Sequence, residues 1–242
     1  YIAYNYGLLK NKTDILGAII LKWLKDSLIK LEQKEQGVIF KKENTVIILN
    51  GAKTELITNV KEKEIFDLLY RASGDGILEN KEFERWCRNN YSKILNWFEN
   101  ILKEEINKMV LNIKENNFNG IILQVRAFSD AIYYSKIFSP SLYIVNNEND
   151  KLKLDMLDYF IKLSHENNIK LIAWINPYRI RSNNDISSIS GNNIVNKYLN
   201  TSSVEIKNGI YFNPAKDEVL DLIIKGVLEI VKNYDVDGIL YD

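Results

Sequence analysis

From about residue 99 onward the sequence repeats one pattern three times: an amphipathic helix, then a short apolar strand that ends in polar residues. Leu102, Ile106, Met109, Val110 and Ile113 recur at helical spacing, and Asn116 and Asn117 end that helix before the apolar run 118–125. Leu154, Leu157, Phe160 and Ile161 mark a second helix over about 151–166, which leads into the run 169–175. Asn213 as N-cap, Pro214 at the first helical position and Asp217 and Glu218 in the first turn open a third helix, and 236–241 is its strand. The middle strand, nearly continuous in apolar residues, reads as a parallel strand buried on both faces.

Helix-then-strand units of this kind imply a parallel sheet with right-handed crossovers. Long loops follow the first two strands, the habit of a (β/α)8 barrel whose site is built from βα loops. A doubly wound sheet is the alternative, but its glycine-rich GxGxxG loop is absent from the sequence. The expected fold is therefore α/β, an incomplete (β/α)8 TIM-type barrel of about three parallel strands. Three strands cannot close an eight-stranded barrel.

Residues 1–98 read differently. Thr13 and Asp14 can cap a helix whose apolar spacing runs through Leu24 to Leu28 and Ile29. Strand-like runs at 37–40 and 45–49 flank a turn at 41–44. A helix over about 61–72 follows, and a third is marked by Phe83, Trp86, Tyr91, Ile94, Leu95, Trp97 and Phe98. This order predicts a mostly helical, winged-helix-like domain, 1–98, ahead of the part-barrel, 99–242. Lys22, Lys25 and Lys30 are matched by Asp14, Asp26 and Glu32, so a protein-contact role is preferred to nucleic-acid binding. Asp75, Gly76, Leu78 and Glu82 fall at EF-hand spacing, but Arg71 and Ser73 stand where the first ligands belong, which leaves a glycine-containing turn. The stretch ASGDGILENKEFERWC and the pattern around 14–31 resemble the C-terminal soluble region of a family of predicted bacterial membrane proteins, and no activity follows from that resemblance.

Composition narrows the classes further. The 242 residues balance 32 basic against 32 acidic side chains, which gives no long-range pull toward nucleic acid or an anionic membrane. Cys87 is the one cysteine, so neither an internal disulfide nor a thiolate metal site can form. No run of 18 apolar residues exists, so no membrane span is expected. Starting at Tyr1 without methionine and stopping at Asp242 directly after an apolar run, the chain reads as a fragment cut at both ends.

Four blocks, NFNGIILQVRAFSDAIYYSKIFSPS, IKLIAWINPYRI, GIYFNPA and NYDVDGILYD, resemble in order and spacing the glycosyl-hydrolase-like 10 family of bacterial proteins, over about 104–242. That resemblance implies a barrel hydrolase acting on glycosidic bonds, in some members those of peptidoglycan glycan strands, usually exported to the cell envelope or beyond the cell. Two departures stand out: the family's first strand should precede residue 104, where the other segment stands, and its motif continues past Asp242 with a further acidic residue.

Glycoside hydrolysis normally needs two carboxyl groups flanking the scissile bond. Asp242, at a strand end, is the candidate catalytic carboxylate, with a hydrogen-bonded strand-end role as the alternative. Arg126, Asp130, Trp174, Asn176, Tyr178, Arg179 and Asn213 are the candidate substrate-binding residues. Each has a plainer alternative: a loop cap for Asp130, core for Trp174, a helix cap for Asn213. His165, Asp235 and Asp237 fall at the opposite ends of the strands and read as structural. The tract 182–203, rich in Ser and Asn, reads as a mobile substrate loop or a disordered one. The expected partner is a polysaccharide, with no metal and no cofactor. A carbohydrate-binding barrel without activity, or an N-terminal interaction module, are the competing functions, and this chain by itself is expected to be inactive.

Overall fold

The computed structural model describes residues 13–36, 42–145 and 147–242. The chain divides into two compact units, Tyr1–Leu102 and Lys103–Asp242.

In the first unit, helix α1 (Thr13–Lys25) stops earlier than its apolar spacing suggests. Ser27 adopts φ 56, a left-handed conformation that a helix cannot carry. Leu28 therefore lies in the turn and Ile29 opens the next strand, both still buried. Strands β1 (Ile29–Gln36) and β2 (Lys42–Leu49) pair antiparallel from Ile29 with Leu49 to Gln36 with Lys42. The hairpin arm expected at 37–40 lies outside the described residues, as does Lys41, while Lys42, Glu43 and Asn44, expected in the turn, belong to β2. Helix α2 (Val60–Ser73) is capped by the Asn59 side chain, which accepts the Glu62 N–H at 2.9 Å. Strand β3 (Ile77–Leu78) adds to β2, giving a three-stranded sheet in the order β1-β2-β3. Helix α3 (Asn80–Asn89) starts on a reciprocal Glu79/Glu82 capping box. The third helix expected over Phe83 to Phe98 is thus two helices, because α3 ends at Asn89 with Asn90 as its C-cap and α4 (Tyr91–Glu115) runs on through the boundary drawn at 98/99. Trp23, Phe66 and Trp97 centre this unit's core, with Trp23 edge-on to Phe66 at 5.1 Å and its indole N–H donated to Glu62 at 2.7 Å.

The second unit takes up α4 from Lys103 and continues with β4 (Gly120–Arg126), β5 (Asp130–Ala131), β6 (Ser139–Pro140), α5 (Met156–Glu166), β7 (Lys170–Ile175), β8 (Arg179–Arg181), β9 (Val204–Lys207), β10 (Gly209–Phe212), α6 (Asp217–Asn233) and β11 (Gly238–Tyr241). Three of these strands form a parallel sheet in the order β11-β7-β4, so chain order equals sheet order. Ile122, Ile172 and Gly238 share one row across it, and Gln124, Trp174 and Leu240 the next. The β7 side chains alternate: Leu171, Ala173 and Ile175 are fully buried against a helical layer that includes Val110, Leu157 and Val219. Burying one such leucine contributes about 2 kcal/mol. Lys170, Ile172 and Trp174 leave the opposite face less covered, which corrects the expectation of burial on both faces.

Two smaller sheets were not foreseen: β5 paired with β6, and the antiparallel β8-β10-β9. Helix α6 begins at Asp217 with Lys216 as N-cap, not at Asn213. Asn213 instead stabilises the preceding turn, accepting the Ala215 N–H at 2.9 Å. The tract 182–203 is packed, with 3-10 turns at Ile186–Ser188 and Ile194–Lys197 and with Ile189, Asn193, Val195 and Ser203 buried.

Candidate functional site

The carboxyl ends of the three parallel strands meet through the backbone. The Asn176 N–H donates to the Arg126 carbonyl at 2.8 Å, and the Asp242 N–H to the Ile175 carbonyl at 3.2 Å. This carries the ladder one step beyond each strand, so Asn176 and Asp242 stand side by side at one rim. Gln124 donates its amide to the Asn176 side chain at 3.3 Å. Trp174 shares the row of Gln124 and Leu240 below this rim, half-buried, with its indole N–H unpartnered. Tyr178, 37% exposed, and the exposed Arg179 continue the rim, and the Tyr178 carbonyl accepts the Phe212 N–H at 2.8 Å, which tethers β10 and Asn213 to it. Asp242 is exposed.

Arg126 and Asp130 lie deeper. The register slips between Gln124 and Arg126, a bulge that turns both Val125 and Arg126 into the interior. Arg126 is 1% exposed, with its guanidinium 3.7 Å over the Phe138 ring and with Nε and Nη1 lacking hydrogen-bond partners. It fits only because residue 226 of α6 is glycine: a Cβ there would fall on Arg126 Nη1 and come within 2.7 Å of the Phe138 ring. Burial lowers the pKa of the guanidinium, against the pull of Tyr133, Asp130 and Glu229. Asp130 is 4% exposed and accepts the Phe128 N–H at 3.1 Å. Burial pushes its carboxyl above the usual range; Ser141, the Phe128 N–H, Arg181 and Arg126 reduce that shift without reversing it.

A buried polar cluster escaped sequence reasoning. Glu148 receives the Arg181 guanidinium, the Asn193 amide at 3.1 Å and the Ser190 N–H at 2.9 Å. Burial alone would raise Glu148, but the Ser190 N–H, the Asn193 amide and Arg181 hold its carboxyl below the usual range. The cluster pins the loop after β7 against the loop after β4. The alternation Arg179-Ile180-Arg181 was a weak sign of it; Glu148, inside the polar run NNEND, carried none.

At the other ends of the strands, His165 Nε2 lies 3.0 Å from Asp237 Oδ2, which also accepts the Leu171 N–H at 2.7 Å. The Leu171 N–H and, next, His165 hold the Asp237 carboxyl below the usual range. Among the described residues no group of three or more His, Cys, Asp or Glu could hold a metal ion, and no helix is long and apolar enough to cross a membrane.

Comparison with known proteins gives this rim its context. Glycosyl hydrolase YngK of Bacillus subtilis is 30% identical over 141 residues, covering 58% of this chain and 28% of that protein. Glycosyl hydrolase DigH of Escherichia coli K12 is 26% identical over 139 residues, 54% of this chain and 32% of that protein. The chain thus spans about a third or less of the length of these relatives. Among solved structures, alpha-L-fucosidase isoenzyme 2 from Paenibacillus thiaminolyticus superposes with a TM-score of 0.38 at 20% identity, covering 58% of this chain and 20% of that one. The family profile described as glycosyl hydrolase-like 10 matches residues 69–242, beginning well before residue 104 and inside the first unit. With most of its length matched, the chain belongs to the glycosyl hydrolase-like 10 family.

Proposed function

We propose that residues 99–242 form an arc of a TIM-type barrel from a glycoside hydrolase that acts on bacterial polysaccharide, with peptidoglycan glycan strands as the leading substrate, in a protein of the cell envelope or beyond it. The observation that carries this is the parallel sheet whose strands lie in chain order and whose carboxyl ends share one polar rim. Strands in chain order suit such an arc, since consecutive strands of a barrel lie side by side around it.

On this proposal Asn176, Tyr178, Arg179 and Asn213 hold sugar hydroxyls, Trp174 offers a ring face from within the arc, and Asp242 supplies one of the two carboxylates. Arg126 acts indirectly by fixing the strand end that receives Asn176. Asp130, 4% exposed and accepting the Phe128 N–H, braces the loop behind the rim. The rival without catalysis, a carbohydrate-binding arc, uses the same rim.

The test is co-sedimentation of the 242-residue chain with insoluble glycan strands, together with an assay for new reducing ends. Binding without release is expected, because three strands leave the site open. Failure to bind any glycan would overturn the proposal. Release of reducing ends would show that three strands suffice, and Asp242→Asn would then have to abolish it.

For residues 1–98 the proposal is a winged-helix-like interaction module, in which the balance of Lys22, Lys25 and Lys30 by Asp14, Asp26 and Glu32 favours protein contact over nucleic acid.

A further inference from the structure

Strand β1 is an edge of the first unit's sheet among the described residues, in the order β1-β2-β3. The ladder shows which of its residues turn their backbone to the open side. The Asn50 N–H donates to the Leu28 carbonyl at 3.0 Å, one step beyond the Ile29–Leu49 pair. Backbone groups alternate along an antiparallel strand, so Leu28, Lys30 and Glu32 turn theirs toward β2, while Ile29, Leu31 and Gln33 turn theirs outward. Leu49, opposite Ile29, agrees: its N–H points away from β1 and donates to the Gly76 carbonyl at 2.7 Å. Such an edge is a template for one more strand.

The side chains of this edge match one strand in particular. Leu31 shares a face with Ile29, which is buried in the core, yet Leu31 is itself 50% exposed. Lys30 and Glu32 lie on the other face, exposed, and among the described residues neither makes an ion pair. A cation and an anion two residues apart on one face are complementary to the same strand running the opposite way. With Leu31 on a two-fold axis, Leu31 opposes its own copy, Lys30 opposes Glu32 in both directions, and Ile29 opposes Gln33. The outward-turned residues then meet as hydrogen-bonded pairs, and the charged residues meet in the closer pairs between them. Other registers fit worse. An axis at Glu32 sets Glu32 against Glu32 and Lys30 against Lys34. An axis at Gln33 calls on Lys34, which already lies 3.6 Å from Glu79.

We infer that β1 is a self-association edge, through which a second copy of this chain adds antiparallel about a two-fold axis at Leu31 and continues the sheet across both copies. This goes beyond the interaction role proposed for residues 1–98, because it names the partner and the register. The contact is isologous, so it closes at two copies and does not propagate. One strand pair is a small interface, so the dimer is reversible.

The test exchanges charges on the whole chain and measures self-association by sedimentation equilibrium over a concentration series. Lys30→Glu places glutamate against Glu32 twice, and Glu32→Lys places lysine against Lys30 twice. Each single variant is expected to dimerise about tenfold more weakly than the unaltered chain, since two attractive cross-strand pairs become two repulsive ones. The doubly exchanged chain, Lys30→Glu with Glu32→Lys, is expected to recover the original affinity. An equimolar mixture of the two single variants is expected to recover it as well, which also shows that both are folded. Association through apolar surface elsewhere on the chain is indifferent to these signs. Equal association of the unaltered chain and both single variants, or a mixture that associates no more tightly than its components, would overturn the dimer and leave the wider interaction role untouched.

Discussion

Glu148 is enclosed by the Arg181 guanidinium, the Asn193 amide and the Ser190 N–H, while Asp130 is buried with its hydrogen bonds unable to offset its desolvation. The two carboxyls should therefore act in opposite directions on stability. The folded pKa of Glu148 is depressed, so its contribution is present above its unfolded value near 4.3 and is lost as pH falls through the folded value. That of Asp130 is raised, so the fold gains from it at low pH and loses that gain as pH rises from about 3.9 through the folded value. In urea titrations from pH 3 to 7, Glu148→Gln should lose most at pH 7 and little at pH 3. Asp130→Asn should gain relative to the unaltered chain at pH 7 and not at pH 3. Equal shifts at all pH values would mean that these charges are not what the sites respond to. Gly226→Ala is a steric case on the same scale: its Cβ has no room beside Arg126 and Phe138, and the cost should be about 1–3 kcal/mol in the unfolding free energy.

At the scale of elements, periodicity made the helix-and-strand alternation legible, since Leu157, Phe160 and Ile161 or Leu171 and Ala173 are buried for the reason their spacing announces. Element ends were less legible, because they are set by single backbone choices. Ser27 in the left-handed region ends α1, and Asn213 with Pro214 forms a turn before α6 in place of its first residues. The rim positions of Asn176, Tyr178 and Arg179 could be read from strand ends; the inward turn of Arg126 could not, because a bulge reverses facing without leaving a composition signal. The tract 182–203 misled most. Its Ser and Asn residues are those of a disordered segment, yet its side chains cap its own turns and its buried Ile189, Asn193 and Val195 meet Glu148 and the core. Limited proteolysis should accordingly spare 182–203 in the unaltered chain. Glu148→Ala, which strands the Arg181 charge at a cost of about 3 kcal/mol, should expose it to cleavage. Equal cleavage of both chains would show that the cluster does not hold the loop.

At the scale of the second unit, surface suited to packing remains in view at the sheet edges, on one sheet face and along α6. β11 and β4 are the two edges of the parallel sheet, each with unpaired ladder groups among the described residues. Ile122 is 57% exposed and Leu240 38% exposed on the sheet face away from the helices. Along α6, Leu220, Ile224, Leu228 and Val231 recur every three or four residues and are each between 42% and 51% exposed. A solvated helix carries polar residues at such positions, so this stripe has the pattern of a packing face. In solution the stripe and the open sheet face should bind a hydrophobic dye and drive self-association that grows with protein concentration. Sedimentation velocity on the double variant Ile224→Lys, Leu228→Lys should show the concentration-dependent species reduced while the far-ultraviolet dichroism is kept. Both side chains point out of the core, so their replacement costs the fold little, and an unchanged species distribution would place the sticky surface on the sheet face or its edges instead of on α6.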